Sequence, residues 1–243
     1  MNAQPKEFAW SFSKLKNYET CPRRYAEVDL KKSVEERKSI ELARGEELHE
    51  AMRARVQGEI ALPPEFIYME KWAERLTRVL DPFQIIQCEL KLAIDREGKP
   101  TGYFEKGTWL RGRIDYLRII PTPTPGKFAG HVVDYKTGKM PKVWDGTQLI
   151  VNAYMVFCHY KDVDELRVDY LWTEYSDTTH EKFKRSEIAN EMATLLPRVS
   201  SMETAHVEGE FTPRPCGLCE LYCPVTSCEY NGKPYRRDRV KAA

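Results

Sequence analysis

In HVVDYKTGK, residues 131–139, an acid and an amine stand two residues apart, Asp134 and Lys136, just after the apolar pair Val132 and Val133. The valines mark a strand, and alternate side chains of a strand project to one face. The carboxylate and the ammonium therefore share a face, with Tyr135 on the other. Burying two charges on one face is costly unless they pair or bind something. A second carboxylate, Asp115 in GRID, precedes Asp134 by nineteen residues and Lys136 by twenty-one, a gap suited to a hairpin. If the two strands pair, two carboxylates and an ammonium converge. Such oxygen ligands suit Mg²⁺ or Mn²⁺, which retain water and take phosphate as a further ligand. Lys136 beside the ion would orient or deprotonate an attacking water and stabilise charge on the phosphate. Taken alone, Asp-x-Lys reads sooner as solvated charge at a frayed strand end, since such tripeptides are common. Three further residues bear on it. His49 follows Gly45 by four residues in RGEELH, on one helical face where glycine admits a close neighbour. Glu89 lies in CELKL, and Gln148 opens the segment after the lysine strand.

The cysteines form a second constellation. Of seven, Cys21, Cys88 and Cys158 are scattered, while Cys216, Cys219, Cys223 and Cys228 fall within thirteen residues. In a reducing compartment such crowding points to a metal or cluster site rather than disulfides. A four-thiolate zinc site made by the C-terminal quartet alone, with Cys21 a packed thiol, is one arrangement. Cys88 and Cys158 lie in apolar segments and read as core residues. Lys14, Lys16, Arg23 and Arg24 flank the early cysteine, and Arg236, Arg237, Arg239 and Lys241 form a basic tail. Backbone contacts of this kind give salt-sensitive, sequence-neutral DNA binding, although solubilising charge explains each group equally. Trp10, Tyr18, Tyr25 and Trp109 could stack unpaired bases, with core packing the alternative. The net charge of +1 excludes a global positive field, so nucleic-acid binding must rest on local patches. TGK at 137–139 is no P-loop, because Val133 stands where its first glycine is required and Met140 replaces Ser or Thr. His49-Glu50 is no zinc-protease motif, since position 53 is Arg.

These residues need elements to hold them. The pattern predicts helices over 11–30, opened by Ser11 or Ser13 and carrying Phe12, Leu15 and Tyr18 on one face, over 39–58, and over 65–80. Strands are predicted over 83–94, 108–120 and 130–138, then a helix over 146–161, a strand over 165–175 and a helix over 185–205. PTPTPG at 121–126, between two strands, reads as a stiff hairpin loop. The order implies an α/β core with helical material before it and a cysteine module after it. The first ten residues lack the apolar core of a signal peptide and no apolar run reaches membrane-spanning length, so a cytoplasmic location is expected.

In chain order, G-x-x-x-H at 45–49, Glu89, G-x-x-D at 112–115, D-Y-K-T-G at 134–138 and Q-L at 148–149 resemble the RecB-like branch of the PD-(D/E)XK nucleases. SFSKLKNYETCPRRY at 11–25 is similar to the S-x-S-x-L…C-P-x-x-Y opening of that branch, so the resemblance spans 11–228. It looks most like the iron–sulfur, four-cysteine type found in CRISPR-associated and AddB-type nuclease domains. The resemblance implies a restriction-endonuclease-like α/β fold: a mixed central sheet flanked by helices, N-terminal helices and a C-terminal cysteine-rich module. It implies one nuclease domain over 1–243, with a helical part at 11–60, a core at 83–200 and a cluster module at 211–230. It implies a Mg²⁺- or Mn²⁺-dependent deoxyribonuclease that hydrolyses phosphodiesters to 5′-phosphate and 3′-hydroxyl ends, working as an exonuclease on DNA ends or single strands. The setting would be a bacterial, archaeal or phage-infected cell, with a helicase, recombination or CRISPR-adaptation partner.

Carried over residue by residue, Asp115 and Asp134 become metal-binding carboxylates, the Tyr135 carbonyl and His49 further ligands, and Lys136 the catalytic lysine. Glu89 would hold a water or a second metal nearby, and Gln148 would position DNA or order Lys136. The branch usually has Tyr four residues after that Gln. Asn152 stands there instead and Tyr154 comes two residues later; Tyr154, Lys14, Arg23 and Arg24 are the DNA-contact candidates. A [4Fe–4S] cluster would tie Cys21 to three C-terminal cysteines. The family spacing is C-x₂-C-x₅-C, whereas CGLCELYCPVTSC offers four thiols for three places. Cys216, Cys219 and Cys228 are one choice with Cys223 as alternative ligand; Cys219, Cys223 and Cys228 are another. A non-catalytic DNA-binding module of the same fold and a zinc-stapled nuclease remain the alternatives.

Overall fold

Three runs of β-branched and aromatic residues form the first strands of one mixed sheet: β1 Ile85–Ile94, β2 Leu110–Pro121 and β3 Phe128–Lys136. β1 and β2 pair antiparallel, as do β2 and β3, which are joined around the proline-rich turn with Tyr116 opposite Val133. β4 Val163–Trp172 then runs parallel to β3. A parallel neighbour demands a crossover, supplied by the helix Thr147–His159, whose Leu149, Val151, Met155 and Phe157 are all buried. β5 Asp177–Lys184 completes the order β1-β2-β3-β4-β5. It was not expected from the sequence, because DTTHEKFK is polar and only Phe183 is buried. An edge strand needs only its ladder to β4, which runs from Trp172 opposite Asp177 to Glu165 opposite Lys184.

The computed structural model describes residues 8–36 and 39–235. The chain divides into two units, one of Ser39–Leu195 and one of Met1–Lys38 with Leu196–Ala243. In chain order the helices are α1 Phe12–Thr20, α2 Pro22–Tyr25, α3 Ile40–Val56, α4 Glu70–Thr77, α5 Thr147–His159, α6 Ile188–Ala193 and α7 Leu196–Glu208. Among the described residues no helix is long and apolar enough to cross a membrane.

In the sheet unit, Ser39 caps α3 by accepting a hydrogen bond from Leu42 N at 3.2 Å. Leu48 and Met52 of α3 pack with Phe66, Met69 and Leu76 onto Tyr116, Val133, Tyr135 and Leu171 of the sheet. Each large side chain buried there contributes about 1.5–3 kcal/mol, which fixes α3 and α4 against β2, β3 and β4. Buried Arg118 reaches the carbonyls of Arg75, at 3.2 Å, and Leu76, closing the C-terminal end of α4.

In the other unit, the helix expected over 11–30 is broken. Pro22 disfavours helical backbone at the residue before it, and Cys21 is extended (φ −161°, ψ 111°), so α1 ends and α2 begins at the cysteine. A π-helical turn, Ala26–Leu30, follows. The Tyr18 hydroxyl donates to the Ser201 carbonyl of α7 at 3.0 Å, and Arg198 pairs with Glu19 at 2.6 Å.

Candidate active site

The β2–β3 register that sets Tyr116 against Val133 brings Asp115 and Asp134 to the next rung. There the ladder gives way to a side chain: Tyr135 N donates to Asp115 Oδ2 at 2.8 Å. From α3, His49 Nδ1 lies 3.3 Å from Asp115 Oδ1 and 3.9 Å from Glu89 Oε1. His49 Nε2 lies 3.2 Å from the Tyr135 carbonyl, which can only accept, so Nε2 carries a hydrogen and Nδ1 faces the carboxylates. Gly45 makes this approach possible, since a Cβ there would sit 2.9 Å from Thr137 Oγ1, one residue past Lys136.

Glu89 interrupts β1. The pairing runs through Cys88–Tyr116 and resumes at Leu90–Ile114, and Glu89 itself has φ +53°. A left-handed non-glycine residue costs about 1–3 kcal/mol, and such strain concentrates at functional sites. One Glu89 oxygen accepts from Arg113 Nε. The other, Oε1, is buried without a hydrogen-bond partner among the described residues. One ligand atom each from His49, Glu89 and Asp115 lies within 4.8 Å of the others. An orphaned carboxylate oxygen, a second carboxylate and an imidazole nitrogen aimed at one point fit a divalent cation, and the mixed nitrogen–oxygen set suits Mn²⁺ as well as harder Mg²⁺.

Asp134 stands beside this trio, its Oδ2, like Glu89 Oε1, buried without a hydrogen-bond partner among the described residues. Oδ2 lies 2.5 Å from Lys136 Nζ, and Oδ1 accepts from Gln148 Nε2 at 2.5 Å. The ring closes as Lys136 Nζ donates to Gln148 Oε1 at 2.7 Å, and the Tyr170 ring lies 4.8 Å from the same ammonium. Burial pushes the Asp134 carboxyl up to about 6; Lys136 opposes the shift and Asp115 reinforces it. Burial pulls the His49 imidazole down, but Asp115, with Asp134 and Glu89, outweighs it and the net direction is up from 6.5. The structure thus separates the expected site residues into His49, Glu89 and Asp115 on one side and Asp134, Lys136 and Gln148 on the other. The Tyr135 carbonyl is occupied by His49.

In the second unit, Cys21, Cys216, Cys219, Cys223 and Cys228 line one cavity. Backbone donors already point at two sulfurs: Arg214 N to Cys21 Sγ at 3.4 Å and Cys216 N to Cys219 Sγ at 3.3 Å. Burial pushes the Cys219 and Cys223 thiols up. Five thiols on one cavity, with N–H donors on two of the sulfurs, fit a soft centre, zinc or iron–sulfur. Cys21 lines this cavity rather than packing elsewhere. Cys158 is buried, and Cys88 is half-buried against the α3–α4 cluster.

The DNA-contact expectations need correction in part. Arg24 is buried, with its guanidinium on Glu36 and on Asn17 Oδ1 at 3.4 Å, so it braces its own unit rather than meeting a phosphate. Trp10, Tyr18, Tyr25 and Trp109 are likewise buried and present no face for stacking. Arg23 pairs with Glu27 at 3.2 Å and Lys14 Nζ donates to the Ala9 carbonyl at 3.5 Å. Lys16 Nζ lies 3.9 Å from Glu19. Tyr154 is half-buried on α5, its hydroxyl close to Gly98. The tail residues Arg236, Arg237, Arg239 and Lys241 lie outside the described residues. Arg113 was missed; its signal was the arginine inside GRID, two residues from Asp115.

Residues 64–229 match the PD-(D/E)XK nuclease superfamily. No curated protein matches the chain. Among solved structures, the chain is similar to a candidate exonuclease from Eubacterium rectale, with a TM-score of 0.54 at 15% identity over 100% of this chain and 99% of that one. It also aligns with SSO0001 at a TM-score of 0.44 and 13% identity, over 95% of this chain and 90% of that one. Family match and architecture agree on the restriction-endonuclease-like fold, a mixed five-stranded sheet flanked by helices.

Proposed function

The chain belongs to the PD-(D/E)XK nuclease superfamily, and on that premise we propose that it is a Mg²⁺- or Mn²⁺-dependent deoxyribonuclease of the RecB-like branch, cutting from DNA ends or along single strands in the cytoplasm. The observation that carries this reading is the His49–Glu89–Asp115 trio, in which Glu89 Oε1 accepts no hydrogen bond among the described residues, beside the Asp134–Lys136–Gln148 ring. When bound, a divalent cation supplies Lewis acidity toward a phosphate oxygen and toward water. The protein's own residues do the rest. His49 Nε2 is anchored on the Tyr135 carbonyl, which holds Nδ1 toward the carboxylates. Asp134 and Gln148 fix Lys136 Nζ from two sides, so its ammonium can orient a water and stabilise charge developing on a phosphate without first reorganising. The whole chain is read as one nuclease domain in the functional sense. Cys21 with three of the four C-terminal cysteines would hold a [4Fe–4S] cluster that staples its unit.

The test is cleavage of end-labelled single strands and blunt duplexes in EDTA, Mg²⁺ and Mn²⁺. The wild type should cut only with metal, and Lys136→Ala, assayed below its own thermal midpoint, should lose about 10²-fold or more. DNA binding without cleavage by either protein would support the non-catalytic module instead. Iron and sulfide in anaerobically purified protein support the cluster; stoichiometric zinc refutes it.

A further inference from the structure

Between β1 and β2 the chain makes an ordered excursion. Glu105 N donates to the Gly102 carbonyl at 3.0 Å, closing a four-residue turn, and Gly102 N donates to Glu105 Oε2 at 2.6 Å. The two central positions hold Tyr103 and Phe104. Turn tips are the province of Gly, Asn, Asp and Ser, and Phe104 is 80% exposed, so packing does not explain it. The two rings meet edge to face at 5.0 Å. The Arg111 guanidinium lies 5.4 Å from the Phe104 ring, and Lys91 Nζ 5.9 Å from the Tyr103 ring.

The strands beneath carry a matching oddity. Lys91 stands directly opposite Arg113, a like-charge pair that costs stability across a ladder. Arg111 is two residues from Arg113, on the same face. Arg113 in turn pairs with Glu89 of the metal-capable trio. A continuous run thus leads from an exposed aromatic tip, over facing cations, to the candidate active site. Facing cations call for an anion, and exposed rings call for a flat apolar surface. A DNA single strand offers both, phosphates and unstacked bases, whereas a duplex hides the faces of its bases.

We propose that the Tyr103–Phe104 turn, with Lys91, Arg111 and Arg113, forms a platform that stacks unpaired bases and holds the backbone of a single-stranded DNA substrate next to the active site. This rests on the nuclease reading and names its substrate form. The test measures fluorescence anisotropy of labelled oligodeoxythymidine and of a blunt duplex of equal length, in EDTA so that nothing is cut. Phe104→Ala should weaken oligodeoxythymidine binding about tenfold while leaving duplex binding unchanged, and Phe104→Trp should restore it. Arg111→Gln should reduce the slope of log affinity against log salt by about 0.7. Wild-type affinity in Phe104→Ala, equal loss on single strand and duplex, or no single-strand binding by the wild type would each overturn the platform. The two proposals fail separately. Normal binding by Phe104→Ala alongside metal-dependent cleavage removes only the platform. Weakened binding in a protein that never cuts removes only the nuclease.

Discussion

Gln148 is the residue on which the geometry of Lys136 turns, and replacing it by Met keeps the length of the side chain while deleting both polar atoms. Two hydrogen bonds to charged groups disappear, Gln148 Nε2 to Asp134 and Lys136 Nζ to Gln148. They are not equivalent. Asp134 is 4% exposed, so its oxygen finds no replacement donor, whereas the Lys136 side chain is 28% exposed and recovers water. The cost is therefore close to one charge-assisted bond, about 2 kcal/mol. With a urea slope of about 2 kcal/mol per M, the unfolding midpoint should fall by about 1 M. Lys136 keeps only Asp134 as its polar anchor, and a displacement of about 1 Å at a reacting group costs about 10²-fold. Steady-state cleavage should accordingly lose kcat with KM little changed. Gln148→Glu, which retains the acceptor for Lys136 but presents a carboxylate to Asp134, should be destabilised at least as much. A Gln148→Met protein with wild-type midpoint and kcat would refute the positioning argument.

Gly45→Ala would drive a Cβ to 2.9 Å from Thr137 Oγ1, and overpacking of this kind costs about 1–3 kcal/mol. Urea unfolding should show the loss, and Gly45→Ala with Thr137→Gly should recover most of it. Cys21→Ser should lower the iron content of anaerobically purified protein and its thermal midpoint. Of Cys216→Ser, Cys223→Ser and Cys228→Ser, one should keep its full iron. Buried Asp169 sits 3.3 Å from His131 Nε2 and 2.7 Å from Arg167 Nε; burial raises its pKa, but these two partners outweigh it and the net direction is down from 3.8. A depressed carboxyl adds stability that is present above 3.8 and lost as pH falls through the lower folded value. The wild type should therefore lose stability below about pH 4 by a component that Asp169→Asn lacks, as urea midpoints across pH 2–5 would show.

The sheet was readable where burial imposed a pattern. Val132, Val133 and Tyr135 in β3, and the all-apolar face of α5, announced themselves because tight packing admits few residue types. β5 did not, because an edge strand paired on one side and wetted on the other leaves a polar segment with one buried Phe183. The helix over 11–30 was overextended because apolar spacing continues past Cys21, while the backbone rule attached to Pro22 decides the break. At the site, Gly45 and His49 followed from helical spacing, and Asp115 opposite Asp134 from the hairpin gap. The left-handed turn at Glu89 left no trace in residue type, since Glu is not a residue that marks positive φ. Nor could spacing reveal that Lys136 and Gln148 close on Asp134 while His49 and Arg113 stand beside Glu89, a matter of side-chain geometry across several elements. Arg24 looked like a phosphate contact because a charge near a cysteine motif is silent about burial. Tyr103 and Phe104 passed unremarked because aromatic residues in a loop carry no periodicity.

The most direct measurement is a crystal structure grown with Mn²⁺, with the ion located by its anomalous signal. The account predicts an ion within coordination distance of His49 Nδ1, a Glu89 oxygen and an Asp115 oxygen, with Lys136 Nζ beside it and still held by Gln148. An ion bound elsewhere, or one that leaves His49 and Asp115 untouched at saturating Mn²⁺, would contradict it.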